Sequence, residues 1–286
     1  MTTIAFLGTG LMGTGFVRRA RANGLTVRVW NRSAAKAQAL AAADAGVTAC
    51  ASAAEAVRGA ERVHVSLADD ASVDAVLEPL VGELPAGQWL IDHTTTAVRP
   101  TAERVARWDA RGMRFVHAPV FMAPANCAEG TGLMLVSGDP ARHQALQAAL
   151  QAMTGTLAWL GPQPERAAAF KLFGNLTLLG LLGILGDVGR LAAAVGIEMK
   201  DAFSLFEKFN PGQTLPQRGK RIADGQYDPP SFEMQMARKD LRLMIEEAAR
   251  GGQTLALVPA LAAVLDAGIA RGEGALDVAA AVRVPR

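Results

Sequence analysis

Ile4-Ala5-Phe6-Leu7-Gly8-Thr9-Gly10-Leu11-Met12-Gly13, followed by Thr26-Val27-Arg28-Val29-Trp30-Asn31-Arg32-Ser33, decides the fold of this 286-residue chain. A short β-rich run enters a GxGxxG turn and then a helix, which aims backbone N–H groups and a helix N-terminus at a pyrophosphate. Gly8 serves the tight turn, Gly10 the approach of backbone to phosphate, and Gly13 the packing of helix on strand. At the end of the second strand, where a carboxylate would accept from a ribose 2′-hydroxyl, the chain has Asn31 and Arg32. That exchange removes a charge that would repel a 2′-phosphate and adds a guanidinium that can grip one. Gly8, Gly10, Leu11, Met12, Gly13, Asn31, Arg32 and Ser33 are therefore candidate cofactor-binding residues, and NADP(H) is the expected cofactor over NAD.

Outward from that stretch, apolar runs alternate with helical segments as far as residue 160. Ile4–Leu7, Thr26–Trp30, Arg62–Leu67, Gln88–Asp92, Arg114–His117, Leu133–Ser137 and Thr156–Leu160 read as strands. Met12–Ala22, Ala34–Ala43, Ala53–Val57, Ser72–Leu80, Thr101–Ala110 and Ala141–Met153 read as helices between them. Such alternation implies an α/β doubly wound parallel sheet. After Gly161-Pro162-Gln163-Pro164 the pattern is helix broken by Gly/Pro turns, so residues 1–162 are expected to form a Rossmann domain and 163–286 an all-helical domain.

Composition narrows the partners. Twenty-nine basic against twenty-seven acidic residues give a net charge of +2, too little for a nucleic-acid footprint. Cys50 and Cys127 lie far apart, without CxxC or clustered histidines, which argues against zinc and against a disulfide framework. No basic leader precedes the first strand, so no secretory signal is expected and a cytoplasmic location is. Leu176–Gly186 is apolar on every side but short of the ~20 residues a bilayer needs. A buried core or interface helix is the expectation, with no membrane. Gly180, Gly183, Gly186 and Gly189 recur along it, permitting close approach of neighbouring helices and a homodimer or dimer-based oligomer.

Candidate chemistry centres on Lys171 and Asn175, four residues apart and so on one helix face. A lysine against apolar neighbours such as Phe170 and Phe173 has a depressed pKa, suited to proton donation. His93 and His117, at strand ends, are candidate pocket residues, whereas His64 reads as a core histidine. Asp69-Asp70 reads as a helix start, Trp108 and Trp159 as packing, and Ser66-Leu67-Ala68 as a backbone shelf beneath a ribose.

Four segments in order resemble the β-hydroxyacid dehydrogenase family, relatives of 3-hydroxyisobutyrate dehydrogenase and of the semialdehyde reductases, which are related in turn to imine reductases. They are Leu7-Gly8-Thr9-Gly10-Leu11-Met12-Gly13, Ile91-Asp92-His93-Thr94-Thr95-Thr96, Lys171 with Asn175, and Arg238-Lys239-Asp240-Leu241. The resemblance implies that Thr95 touches the nicotinamide end, that Lys171 is the proton donor or acceptor and Asn175 places substrate, and that Lys239 lies near the cofactor. It also implies a long helix joining the two domains, with the catalytic cleft between them. Leu67 and Ala68 complete the expected cofactor set.

The family's substrate loop, D-x-P-x-S-G-G, is altered. Here it reads His117-Ala118-Pro119-Val120-Phe121-Met122-Ala123, so Phe121 and Met122 replace a hydroxyl and a bare glycine amide. A small carboxylate loses donors there, at ~1–3 kcal/mol for each unpaired group. Val120, Phe121, Met122 and Ala123, with Lys171 and Asn175, are the expected substrate-binding residues, for a carbonyl or alcohol bulkier and more apolar than is usual. The glycine-rich segment before the lysine is also altered, and Lys171 falls one residue late. The expectation is an NADP(H)-dependent oxidoreductase acting on small molecules. An imine reductase and a non-catalytic NADP(H)-binding protein are the alternatives.

Overall fold

The computed structural model describes residues 1–283. The chain divides into two compact units, Met1–Asn175 and Leu176–Arg286, and the division falls inside one long helix.

The first unit begins with β1 (Thr3–Leu7), α1 (Leu11–Ala22), β2 (Thr26–Trp30), α2 (Ala34–Ala43), β3 (Val47–Ala49), α3 (Ala53–Val57), β4 (Arg62–Val65), α4 (Asp70–Leu77), β5 (Trp89–Asp92), α5 (Val98–Ala110) and β6 (Arg114–His117). Its six strands form one parallel sheet in the order β3-β2-β1-β4-β5-β6. The order reverses between β1 and β4, which opens a crevice beyond their carboxyl ends where ligands bind in such sheets.

Strand alternation explains the two-sided core. Ile4, Phe6, Val27 and Val29 pack with Phe16 and Val17 of α1 on one face; Ala5, Leu7, Val63 and Val65 pack with Val73, Leu77 and Trp108 on the other. Local signals set the helix starts. The Ser52 hydroxyl accepts from Glu55 N–H, Asp69 accepts from Ser72 N–H, and Asp139 accepts from Ala141 N–H.

Beyond β6 the expected single sheet gives way to a second one. β7 (Val120–Phe121), α6 (Pro124–Glu129), β8 (Leu133–Val136), α7 (Pro140–Gln151) and β9 (Thr156–Trp159) build three strands, β7 antiparallel to β8 and β8 parallel to β9. β3 and β7 are not apparent in the apolar pattern because two or three residues carry no period, and α6 is missed because its six residues make fewer than two turns.

The helix α8 (Arg166–Ala194) crosses from the first unit into the second, where α9 (Met199–Lys208), α10 (Leu215–Asp224), α11 (Met234–Arg250) and α12 (Val258–Ala270) follow. In that second unit, Asp187 of α8 caps α12 from 70 residues away, its carboxylate accepting from Ala256, Leu257 and Val258 N–H. Two of the recurring glycines meet side chains from outside α8. A Cβ on Gly183 would lie 2.5 Å from Leu257 Cδ1, and one on Gly189 3.3 Å from Met199 Cε.

Of the two expectations for this helix, buried core or interface, the first fails. The apolar stretch of α8 is not core: Leu176, Leu179 and Leu182 are 74, 65 and 64 % exposed. The helix as a whole is 29 residues and, by length and composition alone, apolar enough to cross a membrane. Gly174, however, lies against Phe121 and Gly183 against Leu257. Residues 175–182 between them span about 12 Å, well short of the ~30 Å of a bilayer core.

Candidate active site

The glycine turn is built as its spacing demands. Gly8 has φ +99°, and a Cβ there would sit 2.2 Å from Ser66 O; a Cβ on Gly13 would sit 2.0 Å from Gly8 O. A side chain at either position would push the turn off the strand or the helix off the turn. Gly10 differs: a Cβ there would meet nothing within 4 Å, and no side chain caps α1. That leaves bare backbone at a helix N-terminus, the arrangement a phosphate needs.

The turn borders a cleft of about 840 Å³, walled by Gly8, Gly10, Leu11, Met12, Ser66, Leu67 and Ala68, with Asn31, Arg32, Ser33 and Lys36 at its β2 end. Arg32 and Lys36 are exposed, and Ser33 starts α2 without its hydroxyl capping the helix. Asn31 is partly committed: its Oδ1 accepts from Thr9 N–H at 2.9 Å and its Nδ2 donates to Ser33 O at 3.0 Å. Lys36 was not singled out from the sequence, although its place one turn into a helix that follows Arg32 and Ser33 was signal enough.

A second cavity, about 210 Å³, is lined by Met12, Phe16, Ser66, Leu67, His93, Thr94, Thr95, Val120, Met122 and Lys171. It shares Met12, Ser66 and Leu67 with the cleft, so the two spaces have a common wall. Five separate stretches of sequence thus meet at one place. Lys171 is half-buried, and burial pushes its pKa below the ordinary lysine value. Its Nζ lies 4.2 Å from the centre of the Phe121 ring.

Thr95 is exposed, at the end of a loop held from every side. Thr94 N–H donates to Asp92 Oδ1, Thr94 Oγ1 accepts from Leu67 N–H, and His117 Nε2 lies 2.9 Å from Thr94 O as its donor. His93 Nδ1 donates to Ala118 O at 2.7 Å, which leaves Nε2 to accept from His64 Nδ1 at 3.0 Å. With both nitrogens engaged and burial holding its pKa down to about 4, His93 offers the cavity a neutral ring and no proton. His117 likewise falls to about 4 through burial, and it lines a different cavity with Val105, Phe115 and Ser137. His64 is the buried core histidine expected.

Phe121 stands behind the Lys171 ammonium, and Ala123 starts α6, its N–H donating to Asn126 Oδ1. Neither lines the 210 Å³ cavity, whereas Val120 and Met122 do. Asn175 is half-buried one turn beyond Lys171 on α8, also outside that lining. Lys239, on α11 of the second unit, pairs with Asp240 at 3.0 Å, and Arg238 with Asp266.

Residues 3–161 match the family model for the NAD binding domain of 6-phosphogluconate dehydrogenase, more than half of the chain. The chain belongs to this family. As a member of the 6-phosphogluconate dehydrogenase-type family it is an oxidoreductase whose cofactor is a nicotinamide dinucleotide, as the glycine turn led one to expect. It is 26 % identical to the "Uncharacterized oxidoreductase YfjR" of Bacillus subtilis, over 98 % of each chain. It is also 26 % identical to "Glyoxylate/succinic semialdehyde reductase 1" of Arabidopsis thaliana, over 98 % of this chain and 96 % of that one. In fold it is similar to an imine reductase from Myxococcus stipitatus solved with NADP+, with a TM-score of 0.90 at 19 % identity over 98 % of both chains.

The described residues fit such a cofactor. The open Gly10 and uncapped α1 would hold the pyrophosphate; Ser66, Leu67 and Ala68 would lie along the dinucleotide between its two ends. Among the described residues no group of three or more His, Cys, Asp or Glu is placed to hold a metal ion.

Proposed function

We propose that this chain is an NADP(H)-dependent reductase, or the reverse dehydrogenase, for a carbonyl or alcohol of the semialdehyde or 3-hydroxyacid type, bulkier and more apolar than is usual for its relatives. The observation that carries this reading is the common wall of Met12, Ser66 and Leu67, which joins the dinucleotide cleft to a cavity holding Lys171 and Thr95. When bound, a reduced nicotinamide supplies hydride to the substrate carbon. Lys171 Nζ gives its proton to the carbonyl oxygen in that direction and takes it back from the alcohol in the other. Thr95 orients the reacting end, and Asn175 and Lys239 support substrate and cofactor. Met12, Phe16, Val120 and Met122 supply the apolar wall that favours larger substrates.

The preference for the 2′-phosphate rests on Arg32, Ser33 and Lys36 at the start of α2, where two cations and a free hydroxyl face a cleft end with no carboxylate at position 31 or 32. The exposed leucines of α8 support a homodimer that covers them. Two buried free cysteines, Cys50 and Cys127, fit a reducing cytoplasm. We place the domain boundary at the turn before α8, with residues 1–162 serving the cofactor and 163–286 the substrate and the dimer.

The test is NADPH oxidation over a panel of semialdehydes, ketones and cyclic imines, with Lys171→Ala run beside the parent. The parent should prefer carbonyls, and the variant should lose about 10²–10⁴-fold in kcat while still binding NADPH. Undiminished turnover by the variant removes Lys171 from the mechanism. Preference for cyclic imines favours an imine reductase, the reading that the solved neighbour suggests. Tight NADPH binding without turnover of anything favours a non-catalytic binder.

A further inference from the structure

Phe121 occupies the place where the resembled family has a small polar residue, and the structure gives its ring two neighbours on one helix. A Cβ at Gly174 would lie 2.1 Å from Phe121 Cζ and 2.5 Å from its Cε1, so the ring fills the space that a side chain at 174 would take. Lys171, three residues earlier and hence on the same face of α8, lays its Nζ over that ring, 4.2 Å from the centre. The ammonium is half-buried, and among the described residues no carboxylate pairs with it. The negative face of the ring favours its charge.

We propose that Phe121 is a positioning residue for the acid of this enzyme: its ring, wedged against Gly174, holds the Lys171 ammonium at the edge of the cavity and keeps it charged. This rests on the reading of Lys171 as proton donor. The ring thus does for the lysine what a carboxylate does elsewhere, without adding a negative charge beside the hydride. It also accounts for the absence of Phe121 from the cavity lining, where its neighbours Val120 and Met122 stand. Burial lowers the lysine's pKa, and the aromatic face opposes that fall.

The pH profile of kcat/KM tests this. First, Lys171→Arg should carry the basic limb out of the measured range, which assigns that limb to Lys171. Phe121→Leu should then lower the limb by about half to one pH unit, a three- to tenfold loss on the alkaline side. Phe121→Tyr should leave it in place. Gly174→Ala, which keeps the ring but evicts it from its seat, should reproduce the shift of Phe121→Leu and guards against a packing defect in either variant. An NMR titration of the lysine Nζ signal lost in Lys171→Arg reads the same shift without turnover. A limb and a signal unmoved in Phe121→Leu, with only the substrate KM altered, would make the ring a substrate wall and overturn the proposal. A basic limb that survives in Lys171→Arg instead sinks the reading of Lys171 itself, a separate result.

Discussion

The Thr9 amide donates to Asn31 Oδ1 across 2.9 Å, so the end of β2 holds the glycine turn by one side chain. Asn31 therefore does structural work in the pocket as well as lacking a carboxylate's charge. Asn31→Ala should weaken NADPH and NADH alike, because the turn that both need is loosened. Arg32→Ala should cost NADPH about tenfold or more and leave NADH nearly unchanged, as expected for loss of one charge-assisted hydrogen bond. Fluorescence titrations of both variants with both nucleotides decide it. Equal losses in Arg32→Ala refute the 2′-phosphate assignment.

Gly13→Ala probes the same turn from the helix side. Its Cβ would lie 2.0 Å from Gly8 O, and backbone there has nowhere to go without moving α1 off β1. We expect a stability loss of about 1–3 kcal/mol in urea unfolding and a parallel fall in affinity for either nucleotide. A variant as stable and as tight-binding as the parent would show that the close packing is dispensable.

Burial sets two opposed pH dependences under the Thr94–Thr95 loop. Asp92 is buried with Oδ2 unpartnered among the described residues, and burial raises its pKa to about 6. The fold then holds that proton more tightly than the unfolded chain, so this group takes stability away as pH rises from about 4 to 6. His93 and His117, lowered by burial to about 4, act in the other sense: the unfolded chain binds their protons first, and stability falls as pH drops from about 6.5 to 4. Asp92→Asn removes the first effect and keeps the Thr94 N–H acceptor. Its unfolding free energy should fall more steeply toward acid than the parent's, by up to about 3 kcal/mol between pH 6 and 4. Parallel curves from urea unfolding at several pH values would exclude a raised Asp92.

Leu179→Arg with Leu182→Arg tests the exposed face of α8. Both side chains are about two-thirds exposed, and a charge in an apolar interface is costly. Light scattering after size-exclusion chromatography should give a dimer for the parent and a monomer for the variant. A monomeric parent would leave that face to some other partner.

Much of this was legible in the chain because it rests on local rules. The glycine turn, the strand β2 and the helix α2 lie where their residues placed them, since spacing and capping are short-range. The family resemblance placed Thr95 and Lys171 as site residues, and the fold lines one cavity with both. What stayed hidden depends on distant partners. β7 exists because Val120 and Phe121 pair with Met134 and Leu133, which two residues cannot announce. Nothing in the chain announces that Thr9 N–H donates to Asn31 or that Gly174 lies against Phe121. The leucines of α8 read as core or interface alike, because apolarity does not say what covers it.

The common wall of Met12, Ser66 and Leu67 has a consequence for anyone reshaping this enzyme. A change made at any of the three to admit a larger substrate also alters the wall of the nucleotide cleft, so gains in scope there should arrive with a penalty in coenzyme affinity. Val120 and Met122 line only the inner chamber. Libraries confined to that pair can widen substrate range while leaving the coenzyme's grip alone.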